Sequence, residues 1–223
     1  MDQRRRTASA HLVVDDVQSP TLGDDAEHHV RRVLRLRDGA SVTVTDGAGA
    51  WRLCTLTAGG LDLASDVIEE PRTQMVTVAA ALPKGDRGDW MVQKLVEVGV
   101  AEIVIVDAER SVVRWDAQRR ERGRARLERI VTSAMEQSRR VHTPVLRGPV
   151  PAAEVLSAMP IAEPGGRVIR SDDVALAIGP EGGWSDAERA AASDMVDLGA
   201  GVLRVETAAL VAATLMLACG QRP

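Results

Sequence analysis

The fold is decided by one stretch of the sequence, Val174-Ala-Leu-Ala-Ile-Gly-Pro-Glu-Gly-Gly183. Its first five residues are all apolar, which predicts a strand that is buried on both faces, as in a parallel sheet. The glycines that follow let the backbone approach a ligand closely. Ser185 and Glu188 then form a capping box, which predicts the start of a helix. Because ligands of open α/β sheets bind at the carboxyl ends of strands, the glycine-rich loop is a candidate ligand site.

Strands and helices alternate on both sides of this stretch. Strands are predicted at residues 75–82, 102–106, 174–178 and 201–205. Helices are predicted at residues 89–98, 116–139 and 206–219, besides the helix that Ser185 begins. The alternation predicts an α/β domain with a parallel sheet over residues 73–223.

The first 70 residues follow a different pattern. Short strands are predicted at residues 11–17, 41–45, 51–57 and 61–67, and a helix at residues 24–34. Asp46-Gly47 and Gly59-Gly60 separate alternating strands, as turns of hairpins do. The pattern predicts a small β-barrel domain over residues 1–70, with Glu69-Glu70-Pro71-Arg72 as the linker that follows.

The composition is that of an ordinary globular protein, with 45% hydrophobic and 27% charged residues. No apolar run reaches the roughly 18 residues of a membrane span. The basic residues 1–10 are not followed by the apolar core of a signal peptide. Cys54, Cys219 and the four histidines fit no metal-binding spacing. We therefore expect a cytoplasmic protein with no metal and no membrane partner.

Positive charge is concentrated in one part of the chain. The net charge is −4, yet residues 110–147 contain eleven arginines and four acidic residues. A local basic stretch is what meets nucleic-acid phosphates, and its affinity for RNA should fall steeply with salt. With no Phe or Tyr in the chain, base stacking is left to Trp51, Trp90, Trp115 and Trp184.

Three loops have a functional and a structural interpretation. The loop at residues 179–183 is either a ligand loop or a tight turn, and it is neither a Walker loop nor a GxGxxG fingerprint. Residues 198–208, Leu-Gly-Ala-Gly-Val-Leu-Arg-Val-Glu-Thr-Ala, either hold a polar ligand against helix N–H donors or cap a helix. Lys84-Gly85-Asp86-Arg87 is either a phosphate contact or a solvated turn.

Six motifs in order resemble a known family. They are Lys84-Gly-Asp-Arg87, Trp90-Met-Val-Gln-Lys94-Leu-Val-Glu97-Val-Gly99-Val, Glu109-Arg-Ser111, Glu136-Gln-Ser-Arg-Arg140, Ile178-Gly-Pro-Glu-Gly-Gly183, and Leu198-Gly199 with Val202-Leu-Arg204 and Glu206-Thr-Ala208. Their order and spacing are similar to the ribosomal RNA small subunit methyltransferase E family, which belongs to the SPOUT superfamily. The resemblance covers essentially the whole chain, and residues 29–35 with Asp46-Gly47 are similar to the family's PUA-like RNA-binding domain.

The resemblance implies an α/β fold, a reaction and a set of partners. The C-terminal domain is expected to be a SPOUT-type parallel sheet with a deep trefoil knot, and the N-terminal domain a PUA-like β-barrel. The enzyme would use S-adenosylmethionine to methylate N3 of a uridine in 16S rRNA, either naked or within the small ribosomal subunit. It would work as a homodimer.

By position, the resemblance also implies the site residues. The cofactor loops would comprise Ile178, Gly179, Pro180, Glu181, Gly182, Gly183, Leu198, Gly199, Val202, Leu203, Arg204, Glu206 and Thr207. RNA contacts are expected from Arg4, Arg5, Arg6, Arg32, Arg35, Lys84, Arg87, Arg110, Arg139 and Arg140.

The expected catalytic residues are Arg204, Glu136 and Glu206. Arg204 would stabilise the developing uridine anion, Glu136 is a candidate general base, and Glu206 would orient Arg204. The sequence departs from the family at Ala200-Gly201, where a Pro-Arg-like pair is frequent, at Arg139, where Gly is common, and near Arg4-Arg5-Arg6, which lacks the usual aromatic residue. These departures bear on RNA contacts more than on the reaction.

Three rival functions stay open at this point. The first is an RNA-binding module without chemistry, whose glycine loops are structural. The second is a nucleotide-dependent enzyme whose loop at residues 179–183 holds phosphate, although the sequence lacks the expected lysine and Mg²⁺ ligands. The third is a SPOUT enzyme that acts on transfer RNA.

Overall fold

The computed structural model describes residues 1–73, 75–113, 117–199 and 201–220. The chain divides into two compact units, the first made of Met1–Thr73 and Thr132–Thr143, the second of Gln74–Val131 and Pro144–Pro223. The domain bounds given by the sequence pattern, residues 1–70 and 73–223, stay a prediction. The sequence pattern did not suggest that Thr132–Thr143 belongs with the first unit.

The first unit is built around a five-stranded sheet. Its elements are α1 (Gln3–Thr7), β1 (Ala10–Val13), α2 (Asp24–His28) with a π-helical turn (His29–Val33), β2 (Ser41–Thr45), β3 (Ala50–Thr57), β4 (Gly60–Leu63) and β5 (Ile68–Glu69). The strand order is β1-β2-β3-β4, with β5 paired to β3. β1 and β2 run parallel, and the other pairs are antiparallel.

Alternation along the strands explains the core of this unit. Val42, Val44, Cys54 and Leu56 are fully buried, in one cluster with residues of β1 and of the helical segment. The prediction of a strand at residues 41–45 is confirmed, and Gly47 has the positive φ of 72° that its turn requires. Of the strand predicted at residues 61–67, only the first three residues form a strand, within β4, and β5 follows just beyond the predicted range.

His11 is a buried histidine that the fold holds in its neutral form. Its Nδ1 lies 2.8 Å from the Thr43 hydroxyl and its Nε2 lies 2.9 Å from the carbonyl oxygen of Arg140. A neutral ring satisfies both partners when Nε2–H donates to the carbonyl and Nδ1 accepts from the hydroxyl. Burial lowers the pKa of His11 to about 4.

This histidine predicts a loss of stability in mild acid. Between pH values of about 6.5 and about 4, the unfolded chain takes up a proton that folded His11 does not, so the free energy of unfolding falls as the pH is lowered. The full difference is at most about 3 kcal/mol. We expect His11→Gln to remove this part of the pH dependence, as measured by urea unfolding across that range. The raised pKa of Glu136 makes the free energy of unfolding change with pH in the opposite direction. This contribution is present in both proteins, so the difference between them isolates His11. Identical pH dependence in both would contradict the assignment.

The second unit is a six-stranded sheet with helices. Its elements are β6 (Thr77–Ala81), α3 (Asp86–Val98), β7 (Glu102–Asp107), α4 (Ala117–Ser138, whose last residues belong to the first unit), β8 (Val145–Pro151), α5 (Ala153–Leu156), β9 (Ile161–Arg167), β10 (Ala175–Ile178), α6 (Asp186–Ala191), β11 (Met195–Val196) and α7 (Val205–Cys219). The strand order is β11-β9-β10-β6-β7-β8, and every pair is parallel.

The decisive stretch folds as its pattern predicts. β10 lies between β9 and β6 near the centre of the sheet, with Leu176, Ala177 and Ile178 buried. The capping box of Ser185 and Glu188 begins α6. The prediction of a parallel α/β sheet is also confirmed by the strands β6 and β7 and the helices α3 and α7. The helix predicted at residues 116–139 is α4, and its predicted first residue, Asp116, lies outside the described residues.

The prediction of a strand at residues 201–205 is wrong. Residues 202–204 have no regular structure, and Val205 is the first residue of α7. Val202 is 95% exposed, so its apolar side chain is not packed in the core as it would be in a strand of the buried sheet. Three strands that do form, β8, β9 and β11, were not predicted. Within the described part of the chain, no helix is long and apolar enough to span a membrane.

Candidate active site

A cavity of about 380 Å³ opens at the carboxyl end of β10. Its first wall is the predicted loop, with Ile178, Gly179, Pro180, Glu181 and Gly183. Its second wall contains Leu198, Gly199, Val202, Leu203 and Arg204 of the other predicted loop. The structure therefore brings together ten of the thirteen residues expected to bind a cofactor, and Gly182, Glu206 and Thr207 do not line the cavity.

Gly179 is needed because the side chain of Trp184 occupies the space next to it. A Cβ atom at Gly179 would lie 2.9 Å from Nε1 and 3.0 Å from Cε2 of Trp184. Trp184 is only 1% exposed, packs in the core of the second unit and lines the cavity. Trp184 was one of the four tryptophans considered for base stacking, and its burial excludes that role.

Arg110 holds the first loop from outside the cavity. Its Nη1 donates to the carbonyl oxygens of Gly182, at 3.1 Å, and Trp184, at 3.3 Å. A Cβ atom at Gly182 would lie 3.2 Å from Cβ of Arg110, so Gly182 allows this close approach. Arg110 was expected to contact RNA, and in the structure one of its nitrogens supports the loop.

A third wall of the cavity was missed by the sequence analysis. It consists of Ala162, Glu163 and Pro164 in β9, together with Asp197. The carboxylate of Asp197 accepts the backbone N–H of Gly199 at 2.8 Å and of Gly165 at 2.9 Å. These hydrogen bonds lower the pKa of Asp197 and connect β9 to the second loop. The motif Pro164-Gly165-Gly166 looks like a turn in sequence, which concealed the strand.

Arg204 lies at the rim of the cavity, immediately before helix α7. It is exposed, lines the cavity, and forms no ion pair with any residue that the structure describes. A cation at this position is available to a bound substrate. The hypothesis that Glu206 orients Arg204 finds no contact to support it.

Glu206 pairs with a different arginine. Its Oε1 lies 3.8 Å from Arg87, whose other terminal nitrogen contacts Glu181 at 3.1 Å. Glu206 is 8% exposed, and its second oxygen, Oε2, is buried without a hydrogen-bond partner among the described residues. Arg87, expected to contact RNA, thus connects the first loop to the start of α7.

Glu136 does not line the cavity. It belongs to the first unit, where its carboxylate accepts the backbone N–H of Val13 at 3.2 Å. Burial raises the pKa of Glu136 above its ordinary value. A carboxylate of raised pKa is a stronger base than an exposed one.

Two of the ten expected RNA contacts are occupied inside the protein. Arg5 is 4% exposed, forms two hydrogen bonds with Glu70, and stacks on Trp51. Arg139 donates to the carbonyl oxygens of Arg5 and Ala8, both at 2.7 Å. These hydrogen bonds direct terminal nitrogens of Arg5 and Arg139 at protein acceptors, which leaves fewer donors for the phosphate contacts that were predicted.

The other expected RNA contacts differ in exposure. Arg4 pairs with Asp2 at the surface, and Arg140 is half-buried, with a pKa lowered to about 10 by burial. The exposed members of the set are Arg4, Arg6, Arg32, Arg35, Lys84 and Arg110. Trp90 is 41% exposed, and Trp115 lies outside the described residues.

The chain matches two family models, an RNA methyltransferase domain over residues 69–217 and an RNA methyltransferase PUA domain over residues 22–64. It is 31% identical to the ribosomal RNA small subunit methyltransferase E of Mycobacterium bovis, over 84% of this chain and 82% of the relative. The chain belongs to the ribosomal RNA small subunit methyltransferase E family. It is therefore an RNA methyltransferase.

Solved structures similar to this chain share its fold. A ribosomal RNA small subunit methyltransferase E of Neisseria gonorrhoeae, bound to S-adenosylmethionine, is 30% identical, with a TM-score of 0.81 over 94% of this chain and 97% of that one. A Legionella pneumophila protein in complex with the same cofactor is 29% identical, with a TM-score of 0.82 over 93% of this chain and 96% of that one.

Proposed function

We propose that this chain transfers the methyl group of S-adenosylmethionine to N3 of a uridine in 16S rRNA of the small ribosomal subunit. The observation that carries the proposal is the cavity between the two glycine-rich loops at the end of β10, in a chain of this methyltransferase family. Relatives with the same fold bind S-adenosylmethionine.

The residues of the cavity fit this cofactor. Its volume, about 380 Å³, lies in the range of pockets that take small molecules. Ile178, Leu198 and Leu203 give it apolar walls for a flat nucleobase, while the glycines expose backbone N–H and C=O groups for polar atoms. When bound, S-adenosylmethionine supplies an electrophilic methyl group on a positively charged sulfur.

Arg204 is placed to act on the uridine. N3 of uridine carries a proton and becomes nucleophilic when that proton leaves, which puts negative charge on the two uracil carbonyl oxygens. The exposed guanidinium at the cavity rim donates to such an oxygen and stabilises the charge as it develops. Orienting the base against the cavity lowers the barrier further, because reactants held in place need no further ordering.

Glu136 is the proposed proton acceptor on the position of its motif in the family, since it does not line the cavity. Its raised pKa favours a general base at neutral pH. Glu206 is assigned a supporting role, since it contacts Arg87 and not Arg204. Arg87 then holds the first loop, through Glu181, close to the start of α7.

The proposal includes the finer features that come with the resemblance. The chain forms a deep trefoil knot around the cavity, works as a homodimer and acts in the cytoplasm. Its exposed basic residues hold the phosphate backbone of the RNA. Among the described residues, no cluster of His, Cys, Asp and Glu could hold a metal ion, and the proposed reaction uses none.

Isothermal titration of the purified protein with S-adenosylmethionine, and separately with ATP, tests the proposal. We expect the cofactor to bind and ATP not to, because the loop at residues 179–183 lacks the lysine of a nucleotide-binding loop. Binding of ATP alone would overturn the proposal in favour of a nucleotide-dependent enzyme. Failure of a folded sample to bind either, with or without small ribosomal subunits, would favour an RNA-binding module without chemistry.

A further inference from the structure

Four ionisable residues line the cavity: Glu163, Glu181, Asp197 and Arg204. Two of the carboxylates are neutralised by neighbouring arginines. Glu163 accepts from Arg189 at 3.0 Å, and Glu181 accepts from Arg87 at 3.1 Å. The charges of Asp197 and Arg204 are therefore the ones that a ligand in the cavity meets without a protein counter-ion.

Asp197 carries a full negative charge in a fixed position. Each of its oxygens accepts one backbone N–H, from Gly199 and from Gly165, and no described basic side chain forms an ion pair with it. These hydrogen bonds hold the pKa of Asp197 below its ordinary value, so the carboxylate is ionised throughout the neutral range. Because two hydrogen bonds fix the side chain, its carboxylate is held in place beside the cavity.

We infer that Asp197 is the counter-charge for the sulfonium of S-adenosylmethionine and makes the cavity discriminate between the cofactor and its product. This inference rests on the proposed function. Methyl transfer breaks the bond between sulfur and the methyl carbon, and the electron pair stays on sulfur, so S-adenosylhomocysteine is neutral at that atom. The two ligands otherwise carry the same charged groups. Asp197 thus favours the reactant over the product and promotes release of the product after transfer.

The division of charge in the cavity supports this role. The unpaired cation, Arg204, suits the anion that develops on the uridine, and the unpaired anion, Asp197, suits the cation on the other reactant. An acid at this position has a second function as a positioning residue, since it connects β9 to the second loop. A test must therefore separate the charge of Asp197 from its structural contacts.

The ratio of the dissociation constants for S-adenosylhomocysteine and S-adenosylmethionine separates the effect of the charge from that of the structural contacts. We expect Asp197→Asn to lower the preference for S-adenosylmethionine over S-adenosylhomocysteine by roughly threefold to tenfold, the range for a partly exposed pair of opposite charges. The variant also loses the contact to Gly165, because the amide nitrogen of asparagine cannot accept that N–H. This loss weakens the binding of both ligands alike and therefore leaves the ratio unchanged. Titration calorimetry with each ligand measures the ratio without requiring turnover.

Asp194→Asn is the matched control. Asp194 lies three residues earlier in the chain, contacts Arg167 and does not line the cavity, so its substitution should leave the ratio unchanged. A ratio that is the same in wild type and in Asp197→Asn would overturn the inference while leaving the proposed function intact. Failure of the folded wild type to bind either ligand would overturn the proposed function and the inference with it.

Wild-type protein provides a second test if Asp197→Asn does not fold. Salt screens the attraction between the carboxylate and the sulfonium, with a screening length of about 3 Å at 1 M. We expect the preference for S-adenosylmethionine over S-adenosylhomocysteine to decrease between low salt and about 1 M salt. A preference that does not change with salt would overturn the inference.

Discussion

Arg204→Ala is expected to lower the turnover number by roughly 100- to 1000-fold at saturating RNA, as removal of one donor to a developing oxyanion does in other enzymes. The physical reason is that Arg204 is an exposed cation at the rim of the cavity, without an ion pair among the described residues. Its interaction strengthens only as the uridine acquires negative charge, so the loss should appear in turnover more than in cofactor affinity. Methyl incorporation into small ribosomal subunits measures the effect.

Two further variants sharpen the prediction for Arg204. Arg204→Lys should recover part of the rate, because lysine keeps the charge but not the planar fork of donors. Arg147→Ala is the control, since Arg147 pairs with Glu102 on the surface and does not line the cavity. Unchanged turnover of Arg204→Ala at saturating RNA would remove Arg204 from the catalytic residues.

Gly179→Ala is expected to weaken binding of S-adenosylmethionine by about tenfold or more, or about 1.4 kcal/mol, and to destabilise the fold by about 1–3 kcal/mol. The new methyl group would lie 2.9 Å from Nε1 of Trp184, which packs in the core and is 1% exposed. Either the first loop or Trp184 must therefore shift, and both line the cavity. Calorimetry gives the affinity, and thermal unfolding gives the stability.

Gly201 offers the matched control for Gly179. It lines the same cavity, its φ lies outside the left-handed region, and a Cβ atom there meets nothing within 4 Å. Gly201→Ala should bind the cofactor nearly as wild type does. In the double variant Gly179→Ala with Trp184→Leu, the smaller side chain should relieve the overlap and restore part of the affinity. Equal effects of both single alanines would show that crowding against Trp184 is not the cause.

The sequence could predict the elements whose residues carry their own signal. β10 has a continuous apolar run and α6 has a capping box, so both were visible without any neighbour. β8 and β9 contain Gly148-Pro149 and Pro164-Gly165-Gly166, which indicate turns when taken alone. Their strand conformation comes from parallel partners far away in the chain, which local propensity does not register.

The residues of the candidate site also fall into those that a local motif predicts and those that depend on distant contacts. Motif order predicted most residues of the two cavity loops, because each motif is a short local segment. It could not predict Asp197 or Trp184, whose roles depend on contacts with Gly165 and Gly179. It also included Arg5 among the RNA contacts, since a basic N-terminal run gives no sign that one of its members is buried against Glu70 and Trp51.

The measurement that tests the central claim most directly is nucleoside analysis of 16S rRNA after incubation of small ribosomal subunits with the purified protein and S-adenosylmethionine. Subunits should come from cells that lack the endogenous methyltransferase, so that the target is unmodified. We predict one new nucleoside, 3-methyluridine, formed by the wild type and strongly reduced with Arg204→Ala. Methylation of a different base or of a ribose hydroxyl, or no methylation by a protein that binds the cofactor, would contradict the account.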